Sequence, residues 1–169
     1  ERLFERADGE AFGFGAGCNG FVRCDGRTRS RQRCDIDLAV GGARELLDDH
    51  EMWPGRRLVG DDGATAAWMI VMHAQRDLDL QRRALEHLEL ALDFDDVPGL
   101  HYATLADRIA MSDGKEQRYG TQLIPTADRT DLEPWPIEAP EQLDERRAAL
   151  GLAPFAEQLA LARAEYAGH

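Results

Sequence analysis

From about residue 35 onward, hydrophobic and polar positions alternate with helical spacing. Asp35 or Asp37 can cap a first helix running to about His50, with Leu38, Leu46 and Leu47 apolar and Arg44 and Glu45 outward. Trp53-Pro54-Gly55 ends it, because proline cannot continue a helix and disfavours helical geometry before itself. Asp61-Asp62-Gly63 opens a second helix, about Ala64 to Gln75, whose Ala64, Ala67, Trp68, Ile70, Val71 and Met72 are apolar nearly all round. That pattern predicts a helix buried on most sides, and so a central one. A third, about Leu78 to Phe94, carries Leu78, Leu85, Leu88 and Leu92 on one face, with Asp77 or Asp79 as its cap. A fourth, about Leu100 to Met111, groups Tyr102, Leu105, Ala106 and Ile109. Gln117 to Ile124 reads as an extended arm, and the proline-rich stretch from Pro125 to Pro140 as an extended surface wrap. Pro140 starts a fifth helix that Gly151 ends, and Pro154 a sixth, to about Tyr166.

The expected fold is therefore mainly α: a compact bundle of about five to six helices with a short β or extended arm near 117–124. Residues 35–169 form a single helical domain, preceded by an irregular Gly- and Arg-rich arm or cap over 1–34. The Gly-rich run 11–17 lacks the lysine-containing signature of a phosphate loop and has no strand-then-helix context.

Composition narrows the partners. The 169 residues carry 32 acidic and 20 basic side chains, a formal charge of -12. The charge is uneven, because residues 1–33 hold seven Arg against five acids, which leaves 34–169 strongly acidic. Nucleic acid and anionic membranes favour a basic face, so neither is the expected partner; a small molecule or peptide is. The longest apolar run, Ala66 to Met72, has seven residues, far below the roughly 20 that span a bilayer. Glu1–Arg6 is charged and no apolar stretch follows, which does not read as a signal peptide. Cys18, Cys24 and Cys34 are an odd set without tight metal-ligand spacing, which reads as reduced thiols in a cytoplasmic protein.

The candidate chemistry centres on His73, at the end of the most apolar helix. It is either a core histidine satisfied by a backbone carbonyl or a general acid/base, since imidazole titrates near neutrality. Asp77 lies four residues on and would share its face if the helix persisted; its competing role is to cap the next helix. Asp107-Arg108 follows on the fourth helix, either as a surface ion pair or with Arg108 half-buried and in need of a carboxylate or a bound anion. Gln117, Tyr119, Thr121 and Gln122 flank Gly120 and can lay polar groups into a cleft. With only two Ser, and all three Cys outside these motifs, proton transfer or water-mediated hydrolysis is expected over a covalent mechanism.

These motifs, in order, carry a resemblance. His73-Ala74-x-x-Asp77-x-x-x-Gln81, Tyr102-Ala103-x-Leu105-x-Asp107-Arg108 and Gly114-x-x-Gln117-x-Tyr119-Gly120-Thr121-Gln122 resemble an uncharacterised bacterial family, a domain of unknown function. Trp53-Pro54, Val59-Gly60 and Asp144-x-Arg146-Arg147-x-x-x-Gly151-Leu152 are similar to the same family, so the likeness covers about residues 35–160. It implies no activity, but it implies that His73, Asp77, Asp107, Arg108, Gln117, Tyr119, Thr121 and Gln122 occupy motif positions.

The expectation is a small enzyme, a hydrolase or lyase, with no cofactor. His73, Asp107 and Arg108 are its catalytic residues, and Asp77, Gln117, Tyr119, Thr121 and Gln122 bind a substrate bearing an anionic group, as specialised metabolism would supply. One alternative is a non-catalytic binding, accessory or immunity-type module. Another is a metal-dependent enzyme using His73 and Asp77 with His87 or His101.

Overall fold

The computed structural model describes residues 52–168 together with residues 41, 42, 44, 45, 47 and 48. The expected 1–34 arm, its Gly run and the three Cys lie outside the described residues. Residues 41, 42, 44, 45, 47 and 48 are helical, and Leu47 enters the core. Five helices follow: α1 (Arg56–His73), α2 (Leu78–Leu92), α3 (Gly99–Ser112), α4 (Leu143–Ala149) and α5 (Phe155–Ala167). Between α3 and α4 lies an antiparallel pair, β1 (Leu123–Pro125) and β2 (Leu132–Pro134), then a single 3-10 turn over Pro140–Gln142. No helix of the described residues is long and apolar enough to cross a membrane.

α1 starts earlier than its hydrophobic pattern, because its first turn is held from outside. The Arg57 amide donates to Asp96 at 2.8 Å and its guanidinium to the Phe94 carbonyl at 2.6 Å. Gly60 then breaks the helix with a φ of 75° and ψ of 171°, a conformation that glycine tolerates and side chains resist. The regular helix resumes at the expected Asp61.

The burial pattern corrects the expectation that this helix is central. Its buried residues are Ala64, Trp68, Val71 and Met72, a single stripe. α2 packs against both α1 and α3 and holds the middle. Its buried face is Leu80, Gln81, Ala84, Leu88 and Ala91; of the expected Leu78/Leu85/Leu88/Leu92 row only Leu88 lies on it. The small Ala84 and Ala91 lie within the core, and the larger leucines at 85 and 92 pack partly buried at its edge. Leu80, Leu88 and Leu105 are fully enclosed; each contributes about 1.5–3 kcal/mol of apolar burial.

The 117–124 segment also differs from a simple strand. Only Leu123–Pro125 is paired in the sheet, in register with Leu132–Pro134 from the proline-rich stretch. Residues 117–122 form a curled loop, anchored by the Gln117 amide donating to the Pro136 carbonyl at 2.8 Å and the Glu138 amide donating to the Gln117 carbonyl at 2.9 Å.

Candidate functional site

α3 is buried on two sides, which an apolar stripe through 102/105/106/109 does not anticipate. His101, Thr104, Asp107 and Arg108 are buried along with Ala103, Leu105 and Ile109. Successive residues turn about 100° around a helix, so Asp107 and Arg108 serve different neighbours. Neither pairs with the other, and among the described residues neither forms a surface ion pair.

Asp107 faces the 117–122 loop. Its Oδ1 accepts from the amides of Arg118 at 2.7 Å and Tyr119 at 3.0 Å. Its Oδ2 accepts from the Thr121 amide and the Thr121 hydroxyl, both at 2.9 Å. Burial pushes this carboxyl above the usual aspartate range, while the same amides and hydroxyl pull it back. The loop can wrap the carboxylate because Gly120 takes a φ of 69°, and because a Cβ there would lie 2.8 Å from the Phe155 ring. Gln117 closes the loop from within. Its Oε1 accepts from the Gln122 amide at 2.8 Å, and its Nε2 donates to the carbonyls of Gln122 at 3.0 Å and Trp135 at 2.7 Å. The Gln122 amide group donates to Thr104 and Thr121. The structure thus brings Asp107, Gln117, Tyr119, Thr121 and Gln122 into one network whose polar groups largely satisfy one another.

Arg108 points the other way, to the carboxyl end of α1. Its Nη1 donates to the Met72 carbonyl at 3.3 Å, and its Nε is sealed without a partner among the described residues. No carboxylate among the described residues pairs with it, although only 8% of its surface is exposed. Beside it, the Gln81 Nε2 donates to the Val71 carbonyl at 3.0 Å, leaving Gln81 Oε1 sealed and unpartnered among the described residues. Two side chains therefore grip consecutive carbonyls of the last turn of α1, next to His73. The His73 side chain reaches solvent. The surrounding protein, and then the Arg108 charge, hold its pKa below the ordinary imidazole value, which leaves the ring neutral and able to accept a proton at pH 7.

The helix does not persist to Asp77. The chain turns at Ala74, and Asp77 caps α2 by accepting from the Leu80 amide at 3.1 Å while pairing with Arg44. Burial pushes its carboxyl up, but Arg44, the Leu80 amide and Arg83 together hold it below the usual range.

Of the other histidines, His101 stacks on Trp68 with ring centroids 4.2 Å apart and belongs to the core. Among the described residues no group of three or more His, Cys, Asp or Glu is arranged to hold a metal ion.

A cleft of about 550 Å³ opens at the carboxyl end of α2. Tyr102 and Tyr119 line it with Glu89, Asp93 and Asp95; of the predicted site residues, Tyr119 alone is on its wall. Two residues outside the predicted set matter here. Gln81 was visible only as a motif position. Arg147 is 1% exposed and donates to the Tyr119 carbonyl at 2.6 Å and the Ala153 carbonyl at 2.7 Å. It too was visible as a motif position, and it lies one turn after Leu143, so the two share a face of α4.

No curated protein and no solved structure matches the chain. Residues 36–168 match a family described as being of unknown function, DUF6624, which spans all five helices and the sheet. The polar network around Asp107 and the Arg108–His73 end of α1 both lie inside that span, and the chain belongs to the DUF6624 family.

Proposed function

We propose that this protein is a small enzyme, a hydrolase or lyase, in which His73 acts as general acid/base and Arg108 anchors an anionic group of a small-molecule or peptide substrate. The observation that carries the reading is Arg108: an arginine only 8% exposed, with no carboxylate partner among the described residues, beside a solvent-reaching histidine. A buried cation without a counter-ion is costly, and a bound carboxylate or phosphate relieves that cost. The lowered His73 pKa supplies the free base that proton abstraction or water activation needs. Asp107 then acts as a positioning residue, holding the 117–122 loop rather than touching the substrate. The reading includes a cytoplasmic location, supported by three Cys without a disulfide-like pattern.

The test uses inorganic phosphate as the probe. Phosphate should raise the His73 pKa followed by NMR, and Arg108→Met should remove the effect, at a loss of about 2–5 kcal/mol in phosphate affinity. A His73 titration that is indifferent to phosphate in the folded wild type overturns the anion site. A panel of ester, amide and phosphoester substrates then tests catalysis, with His73→Ala expected to abolish any turnover found.

One observation favours a second reading, a non-catalytic binding module: the side chains of Gln117, Thr121 and Gln122 are engaged with their own loop and with Thr104 and Asp107 of α3. That module would bind phosphate through Arg108 yet show no turnover that depends on His73.

A further inference from the structure

We propose that the cleft at the carboxyl end of α2 is a binding site for an organic cation, an amine or quaternary ammonium group on a small apolar body. It is separate from the His73–Arg108 end of α1, since neither residue lines it.

Its size comes first. A cleft of about 550 Å³ lies within the roughly 300–1,000 Å³ of small-molecule sites and is far larger than a single ion needs. Its chemistry comes next. Tyr102 and Tyr119 meet edge to face, with ring centroids 6.1 Å apart and planes at 67°, so they form an aromatic corner. Glu89, Asp93 and Asp95 add carboxylates, and no lining residue is basic. Asp95 is tied to Arg56 at 3.4 Å, whereas Glu89 and Asp93 have no ion pair among the described residues. Aromatic faces and carboxylates both attract cations. The half positive charge at the amino terminus of α3, which opens on this wall at Gly99, is outweighed by the two carboxylates of Glu89 and Asp93. The Arg118 guanidinium carbon lies 6.0 Å from the Tyr119 centroid and takes up part of that buried ring, so the half-buried Tyr102 offers the freer aromatic surface to a ligand. The strongly acidic charge of the chain steers cationic ligands toward it.

The walls are also fixed in place. The Tyr119 backbone is held at both ends, its amide by Asp107 and its carbonyl by Arg147. Gly99 packs so closely on Leu150 that a Cβ there would sit 2.2 Å from the Leu150 carbonyl oxygen. Two buried charged residues and one intimate backbone contact therefore set the shape before any ligand arrives, which lowers the ordering cost of binding.

The experiment compares choline with its neutral isostere 3,3-dimethylbutan-1-ol, reading the Tyr102 and Tyr119 ring signals by NMR. Choline should shift both, and the neutral compound should bind at least about tenfold more weakly, the difference a cation–π and carboxylate site makes. Glu89→Gln with Asp93→Asn, both on exposed positions, should weaken choline by a similar factor without unfolding the protein. His73→Ala should leave choline binding unchanged, which separates this site from the proposed catalytic one. Equal binding of the two compounds, or tyrosine signals that do not move with choline while the protein is folded, overturns the proposal.

Discussion

The Oδ2 atom of Asp107 accepts two hydrogen bonds from one residue, the amide and the hydroxyl of Thr121, each at 2.9 Å. With the Arg118 and Tyr119 amides on Oδ1, one fully buried carboxylate organises a whole loop. Asp107→Asn keeps the shape but turns a donor toward donors. It should destabilise the fold by at least about 2 kcal/mol, because buried amides lose their acceptor. Urea denaturation measures this, and a change under about 0.5 kcal/mol, the ordinary effect of a surface substitution, contradicts the role given to Asp107.

Gly120 makes that loop possible. Gly120→Ala meets both a φ of 69° and the Phe155 ring 2.8 Å from the new Cβ. The expected loss is about 1–3 kcal/mol, the range for a non-glycine residue held in strained geometry. Shortening Phe155 to Leu in the same chain should recover the contact part of that loss but not the backbone part. A thermal melt of the four chains in the cycle separates the two.

His101 sets a pH dependence. Burial lowers its pKa to about 4, from an ordinary 6.5. Between these values the unfolded chain binds a proton that the folded chain refuses. Stability is therefore full above about pH 6.5 and falls as the pH drops toward 4, by roughly 3 kcal/mol at about 1.4 kcal/mol per unit. His101→Phe keeps a ring against Trp68 and removes the titrating group. As the pH falls from 6.5 toward 4, wild type should lose stability relative to His101→Phe in denaturant titrations; parallel curves contradict the assignment.

The core itself is tested at Leu88, which is fully enclosed between helices. Leu88→Ala should lower stability by about 2–5 kcal/mol through lost burial and the cavity left behind. Leu90→Ala, two residues on and 59% exposed, should stay within about 0.5 kcal/mol of the parent. Guanidinium titration of both variants reads the contrast.

The sequence alone determined the helices from α2 onward to within a few residues, because caps, prolines and apolar spacing are local signals. Asp77 before α2, the turn around Pro98 and Gly99, and Pro154 before α5 all mark boundaries through their own backbone chemistry. Motif positions were also legible, and they brought Asp107 and the 117–122 loop to notice. What those residues do was decided only in three dimensions. Asp107 and Arg108 are neighbours in the chain, yet a helix turns them to different surroundings, one to four loop donors and the other to the end of α1. The burial of Arg147 and the aromatic corner of Tyr102 and Tyr119 rest likewise on contacts between residues far apart in sequence. Hydrophobic periodicity reports which face of a helix avoids water; it cannot report that a charged residue avoids water too, because that depends on partners supplied by another part of the chain.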